Sequence, residues 1–322
     1  MSKNISVAIV LTKDTLISGA TGMDDIFHIA SHYAKQSSEA KIKVTYLSSD
    51  ANLQLNNPNI HIKTHPIHVE NVYDIIILPP LMGDIDLNQK DFVLNDWLVK
   101  MFHQGSLVST VCASSFILAQ TGLLDFKKAT THWIYEDLFQ KTFKNVSLQS
   151  DMILVDEGNI ITAGGMSASV DLALYLVERY LSKDTANKCA NILLVDRGRD
   201  SQRSYKDLTN FLLIENEDIK SLLTWAKKNL AKNIGTKELA DKMKMQERTF
   251  LRLFKKVLST TPNKYLQSLR IEEAKTQLIN TSHSFEQITN DVGFYNESSF
   301  RRLFKKETSL TPGEYRRKFQ YH

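Results

Sequence analysis

Arg248-Thr-Phe-Leu-Arg-Leu-Phe-Lys-Lys256, followed by Thr261-Pro-Asn-Lys-Tyr265, returns fifty residues later as Ser298-Ser-Phe-Arg-Arg-Leu-Phe-Lys-Lys306 with Thr311-Pro-Gly-Glu-Tyr315. Each copy sets an apolar trio at helical spacing (Phe250, Leu253, Phe254; Phe300, Leu303, Phe304) with arginine and lysine between, which predicts an amphipathic helix with a cationic outer face. A shorter apolar pattern precedes each one: Leu239, Ala240 and Met243, then Ile288, Thr289 and Val292, with turns expected at Lys244 and Gly293. Short helix, tight turn, basic helix is the order of a helix-turn-helix. A single basic face is usually only a solvated one, but two in register point to a polyanion.

In helix-turn-helix geometry the second helix enters the major groove, so its outward residues near the N-terminus meet base edges and later lysines meet phosphates. Arg248, Leu251, Arg252, Ser298, Ser299 and Arg302 are therefore expected to read bases, and Lys255, Lys256, Lys305 and Lys306 to hold the backbone. Between the copies, residues 263–279 are helix formers with apolar residues at 265, 266, 269, 274 and 278. At 1.5 Å per residue this spacer is roughly 25 Å long, enough to set two reading helices about one DNA turn, roughly 34 Å, apart. Gly235 falls just past one helix end, Thr236 is expected to cap the next helix, and the Thr-Pro pairs at 261 and 311 restart the chain.

Charge divides the same way. Residues 1–215 hold 19 Lys+Arg against 24 Asp+Glu, or −5, and residues 216–322 hold 21 against 12, or +9. The last third is the part that faces nucleic acid. The 322 residues suggest at least two domains, and 42% hydrophobic content is ample for buried cores. No stretch has the length of a membrane span or the form of a signal peptide, so a cytoplasmic location is expected. Cys112 and Cys189 alone exclude a disulfide framework, and the nine histidines show no paired ligand spacing, so no metal or cofactor is expected.

Upstream, short buried runs at 5–11, 41–47, 73–78 and 107–111 alternate with helical patterns near 24–36, 91–103 and 115–121. Such alternation implies a doubly wound, flavodoxin-like parallel sheet with helices on both faces. A hairpin through Asp156-Glu-Gly-Asn159 and a closing helix over 169–181 follow. The predicted organisation is an α/β domain over 1–195, a polar linker over 196–216 and an all-α domain with two helix-turn-helix motifs over 217–322.

Within the α/β part, Ser109-Thr-Val-Cys-Ala-Ser-Ser-Phe116 runs from strand through cysteine and small residues into a helix. This elbow holds Cys112 above N–H groups that lower a thiol's pKa and bind anions or carbonyl oxygens. Catalysis would need a base beside Cys112, and His132 is the sole candidate in the neighbouring segments. A lone histidine beside Trp133 is more often structural or ligand-binding, so no catalytic residue is assigned and the domain is expected not to be an enzyme. Cys112, Ala113, Ser114, His132, Gly164 and Gly165 are instead candidate ligand-binding positions.

Two resemblances bear on these readings. Asp291-Val-Gly-Phe-Tyr-Asn-Glu-Ser-Ser-Phe-Arg-Arg-Leu-Phe-Lys-Lys-Glu-Thr-Ser-Leu-Thr-Pro-Gly-Glu-Tyr-Arg316 resembles the AraC family of transcription regulators over about 105 residues, with Gln246 and Thr289 departing mildly from the family pattern. The elbow, with Ala119-Gln-Thr-Gly-Leu-Leu124, Ala129-Thr-Thr-His-Trp133 and Ile161-Thr-Ala-Gly-Gly-Met-Ser-Ala-Ser-Val-Asp-Leu-Ala-Leu174, resembles the class I glutamine-amidotransferase-like superfamily that includes PfpI-type intracellular proteases. In particular it is similar to the branch fused to AraC-type readers. The proteolytic members carry histidine directly after the cysteine, where Ala113 stands here, and related hydrolases place an acidic partner in the first loop, where no glutamate precedes Glu39 and only Asp24 or Asp25 could substitute.

These resemblances imply a regulator that binds double-stranded DNA at promoter half-sites as a homodimer. Its α/β domain would sense a small effector such as an amino acid or other nitrogenous metabolite, and RNA polymerase is a further candidate partner. The alternatives are a cysteine hydrolase or amidase tethered to DNA and a redox sensor acting through Cys112.

Overall fold

The computed structural model describes residues 4–37, 40–68, 71–83, 85, 90–207, 216–232, 234–258 and 260–320. The chain forms two compact units, Met1–Gln202 and Arg203–His322.

The first unit is wound from β1 (Asn4–Val10), α1 (Ile17–Ser37), β2 (Lys41–Ser48), β3 (His65–Pro66), β4 (Ile75–Leu78), α2 (Phe92–His103) and β5 (Leu107–Val111). It continues through α3 (Ser115–Gln120), β6 (Lys128–Ala129), α4 (Glu136–Thr142), β7 (Ser147–Leu148), β8 (Leu154–Asp156), β9 (Ile160–Ala163), α5 (Ala168–Tyr180) and α6 (Lys183–Leu193). Seven strands form one sheet in the order β3-β2-β1-β4-β5-β9-β8, parallel except for β8, which pairs with β9 as the expected hairpin. Side chains alternate across it as the pleat requires. Val7 and Ile9 join the core under α1, α5 and α6, while Ala8 and Val10 join the core under α2, α3 and α4.

The doubly wound parallel sheet is the expected fold, with two corrections to its helices. Helix α1 starts at Ile17, seven residues before the pattern predicted, because Gly19 lets the helix pass against Pro80, where a Cβ would sit 2.4 Å from the ring. The helix over 169–181 does not close the unit: α6 packs Ala186, Cys189 and Ala190 into the same core as α1 and α5.

Residues 196–202 of the expected linker are polar in sequence yet anchored in this unit, and its residues 208–215 lie outside the described residues. The Gln202 side chain is 2% exposed and enclosed by the segments around Thr130–Thr131 and Ser150–Met152.

The second unit is all-helical among the described residues apart from turns: α7 (Glu217–Lys228), α8 (Thr236–Lys242), α9 (Glu247–Leu258), α10 (Pro262–Asn280), α11 (Phe285–Asp291), α12 (Glu297–Thr308) and α13 (Pro312–Phe319). It has two apolar cores, and α10 serves both. Tyr265, Leu266 and Leu269 enter the first with Phe250 and Phe254; Ile271, Ala274 and Leu278 enter the second with Phe300 and Phe304. Leu269 and Ile271 are two residues apart, about 200° around a helix, so the apolar stripe changes face halfway along α10. The basic tail from Pro312 is itself helical and buries Pro312 and Tyr315.

One capping expectation is corrected. Gly235, not Thr236, is the N-cap of α8: its N–H donates to the Glu238 carboxylate at 2.9 Å, and the Thr236 hydroxyl instead meets Asn263 Oδ1 at 3.1 Å.

Candidate functional site

Helices α9 and α12 stand in corresponding places in the two halves of the second unit. Each follows a seven-residue helix and a turn containing a left-handed residue, Lys244 at φ 53° and Gly293 at φ 75°. Phe250 and Phe254, like Phe300 and Phe304, point inward. Arg248, Leu251, Arg252, Lys255 and Lys256 on α9 are exposed, as are Ser298, Arg302, Lys305 and Lys306 on α12.

Ser299 is the exception among the expected base readers. It is half-buried, its N–H caps onto Asn296 Oδ1 at 2.8 Å, and its Oγ accepts from Arg302 Nη2 at 3.3 Å. It orients Arg302 across one helical turn. Arg301 is occupied within the helix pair, bonded to Glu297 and lying 4.8 Å from the centroid of the Phe285 ring. Arg302, by contrast, makes only the long hydrogen bond to Ser299 among the described residues.

In the first unit the strand-to-helix elbow is present. Cys112 directly follows β5 and takes φ 60°, a left-handed conformation that costs a non-glycine residue about 1–2 kcal/mol. Its carbonyl is pinned by the hydroxyls of Ser115 and Thr131, both at 3.0 Å. The thiol is 5% exposed. The Ala113 N–H donates to the sulfur and favours the thiolate, but burial outweighs it and pushes the thiol up to about 11. The expectation that elbow N–H groups lower this pKa is therefore corrected: desolvation is the larger effect.

The other ligand candidates separate. Gly165 and His132 are neighbours, since a Cβ on Gly165 would lie 3.5 Å from His132 Cδ2. His132 Nδ1 accepts from the Ile134 N–H at 3.1 Å, which places the proton of the neutral ring on Nε2, and burial lowers its pKa. Gly164 donates its N–H to Ile153 O at 2.7 Å and packs beneath Gln202, so its N–H is not open to a ligand. Ser114 is fully buried and gives its hydroxyl to Pro79 O.

A cavity of about 290 Å³ opens at the carboxyl ends of the strands, and of these six candidates only Ala113 lines it. Its wall is formed instead by residues that sequence reading did not single out, among them Thr12, Asp14, Ser48, Asp50, Asp91 and Asn95. It lies between β1 and β4, where the chain reverses its direction of winding, the usual crevice of an open α/β sheet. Position at or just after strand ends could have flagged Thr12, Asp14, Ser48 and Asp50.

The elbow state has a pH signature. The thiol's pKa is about 11 folded against 9.0 for an ordinary cysteine, so Cys112 leaves stability intact below pH 9 and subtracts from it as pH rises toward 11, where only the unfolded chain releases the proton readily. The total loss is about 2–3 kcal/mol. Denaturant midpoints measured from pH 8 to 11 should fall more steeply for the wild type than for Cys112→Ala; parallel curves would contradict the burial of the thiol.

Taken together, the molecule joins a cysteine-elbow α/β unit to a unit with twin helix-turn-helix motifs. Residues 13–179, more than half of the chain, match the DJ-1/PfpI family model, and the chain belongs to that family. Residues 239–318 match a helix-turn-helix domain of AraC type. The chain is 28% identical over 206 residues to the HTH-type transcriptional regulator CdhR of Pseudomonas aeruginosa, covering 64% of this chain and 61% of that protein. It is 29% identical over 198 residues to the HTH-type transcriptional regulator ArgR of the same organism, covering 61% and 60%. The chain thus matches about three fifths of the length of these curated relatives. The crystal structure of an AraC family transcriptional regulator from Pseudomonas putida shares the fold with TM-score 0.52 at 15% identity, covering 59% of this chain and 99% of that one.

Proposed function

We propose that this protein is a one-component transcription regulator whose C-terminal unit reads double-stranded promoter DNA and whose N-terminal unit is a non-catalytic sensor of a small metabolite. The observation that carries this reading is the pair of helices α9 and α12, each anchored by two buried phenylalanines and each presenting arginine and lysine outward after a left-handed turn. With 19 residues, α10 is about 28 Å long and suits two reading heads on successive major grooves. Arg248, Leu251, Arg252, Ser298 and Arg302 are the proposed base readers, Ser299 positions Arg302, and the four lysines 255, 256, 305 and 306 are the proposed phosphate contacts. The relatives CdhR and ArgR, described as transcriptional regulators, support the same reading. Homodimer formation on repeated half-sites, contact with RNA polymerase and a cytoplasmic location complete the proposal.

The test is a binding comparison on a duplex selected from random sequence. Arg252→Ala or Arg302→Ala should cost about 1–3 kcal/mol on the selected site and relax base preference at one position, while leaving random-duplex affinity nearly unchanged. Equal losses on both duplexes would reassign these arginines to the phosphate backbone. Lys256→Ala should do the opposite, weakening both duplexes alike and reducing the salt dependence by about one phosphate contact.

A protonated, buried thiol supports a sensor over a hydrolase or a redox switch, because attack and oxidation both proceed through the thiolate. Amide or peptide turnover that disappears in Cys112→Ala would establish the hydrolase instead.

A further inference from the structure

The cavity between β1 and β4 differs from the elbow in its chemistry. Its charged wall is Lys13 against Asp14, Asp50 and Asp91, one formal positive charge against three negative, or −2. The rest of the wall is largely apolar, with Leu53, Leu81, Ile85 and Phe116. The three carboxylates are held in place: Asp14 accepts from Asn56 Nδ2 at 2.6 Å, Asp50 from the Asn52 N–H at 2.9 Å, and Asp91 from the Leu94 N–H at 2.9 Å and from Ser49 Oγ.

Asn95, one turn into α2, lines the same cavity at 8% exposure, and its Oδ1 is buried with no hydrogen-bond partner among the described residues. An orphaned buried acceptor costs on the order of 1–3 kcal/mol, a cost that a donor arriving with a ligand removes. Anions are disfavoured by the surplus of carboxylates, and a neutral apolar molecule would leave Asn95 unsatisfied.

We propose that this cavity binds a small organic amine, a primary or secondary ammonium on a compact apolar body, with its N–H accepted by Asn95 and its charge balanced by Asp14, Asp50 and Asp91. The site is set apart from Cys112, His132 and Gly165, none of which lines it. It rests on the reading of the N-terminal unit as a sensor, and it names the chemical class sensed.

The experiment uses the full chain and isoamylamine as probe, with isoamyl alcohol, isovalerate and tetramethylammonium as matched controls. Isoamylamine at saturating concentration should raise the unfolding midpoint of the first transition by about 2–4 °C. The three controls should not, since each lacks the charge, the right sign of charge or the N–H. Asn95→Leu removes the orphaned acceptor at similar volume, so it should raise the midpoint without ligand and abolish the shift. Asp50→Asn keeps an oxygen for the Asn52 N–H and should weaken isoamylamine binding about tenfold with the fold unchanged.

An equal shift from the alcohol, or an undiminished shift in Asn95→Leu, overturns the proposal, as does the lack of any shift with the amine. DNA affinity measured alongside separates the two readings. Amine binding with no change in DNA affinity leaves the site standing and removes the sensor; DNA affinity that responds to other metabolites while no amine binds removes the site alone.

Discussion

Gly293→Ala is expected to unfold the second half of the C-terminal unit or force its turn to reorganise, at a cost of about 4 kcal/mol or more. Gly293 holds φ 75°, and a Cβ there would lie 2.1 Å from Leu230 O, with Leu230 C at 3.1 Å and Ala231 C at 3.2 Å. The first motif isolates the two contributions. Lys244 takes φ 53° at the matching turn and carries a full side chain, so left-handed backbone alone is tolerated at about 1–2 kcal/mol. What distinguishes Gly293 is that its neighbours are main chain following α7, which cannot rotate away.

The same turn is held from the other side by Arg270, whose Nε donates to Val292 O at 3.0 Å. Gly293 therefore fixes the second motif against the chain that follows α7 as well as the local turn. Denaturation should show the C-terminal transition lowered or lost, and a selected two-site duplex should lose affinity more than a single half-site. A midpoint within about 1 kcal/mol of wild type would mean that the turn can open away from Leu230 at little cost.

Gln202→Leu should destabilise the first unit by about 2–4 kcal/mol, because several buried acceptors lose their shared donor together. Gln202 Nε2 lies 2.9 Å from Thr131 O, 3.0 Å from Ser150 O, 2.9 Å from Met152 O and 3.3 Å from Thr130 Oγ1. An amide has two hydrogens for these four oxygens, so the contacts are shared and their energies do not add. Oε1 accepts from the Trp133 N–H at 3.3 Å, and Gly164 leaves the space in which the amide sits, 2.3 Å from where its Cβ would be. Gln202→Glu should be worse than leucine, as it sets a carboxylate against the same oxygens. Chemical denaturation of the full chain, following the first transition, measures both. A loss below about 1 kcal/mol for the two variants would show that residues 200–202 are not integral to this unit.

Most of the architecture was readable from local pattern. The Phe250 and Phe300 repeats specified both basic amphipathic helices, the turns at Lys244 and Gly293 fell where expected, and the four buried runs became β1, β2, β4 and β5. These features depend on periodicity within a dozen residues, which a chain displays without its partners. α6 was missed because its polar turns, Lys183-Asp-Thr-Ala-Asn-Lys-Cys189, mask a narrow apolar edge. The elbow at Cys112 was likewise visible as strand, cysteine and small residues.

Its protonation was not visible, because desolvation sums over β5, α5 and other segments distant in sequence. Gln202 reads as linker by composition, and only the carbonyls gathered around it from 131, 150 and 152 make it part of a core. Gly293 reads as a turn glycine, and its second duty exists because Leu230 O arrives from sixty residues away. The cavity belongs to the same class: Asp14, Asp50, Asp91 and Asn95 come from three separate loops and a helix, and nothing but the winding order of the sheet brings them to one place. Spacing along the chain thus determined the elements and the exposed basic faces of α9 and α12, while burial and long-range approach decided which polar groups are satisfied and where a cavity forms, since desolvation and steric contact are properties of neighbours in space.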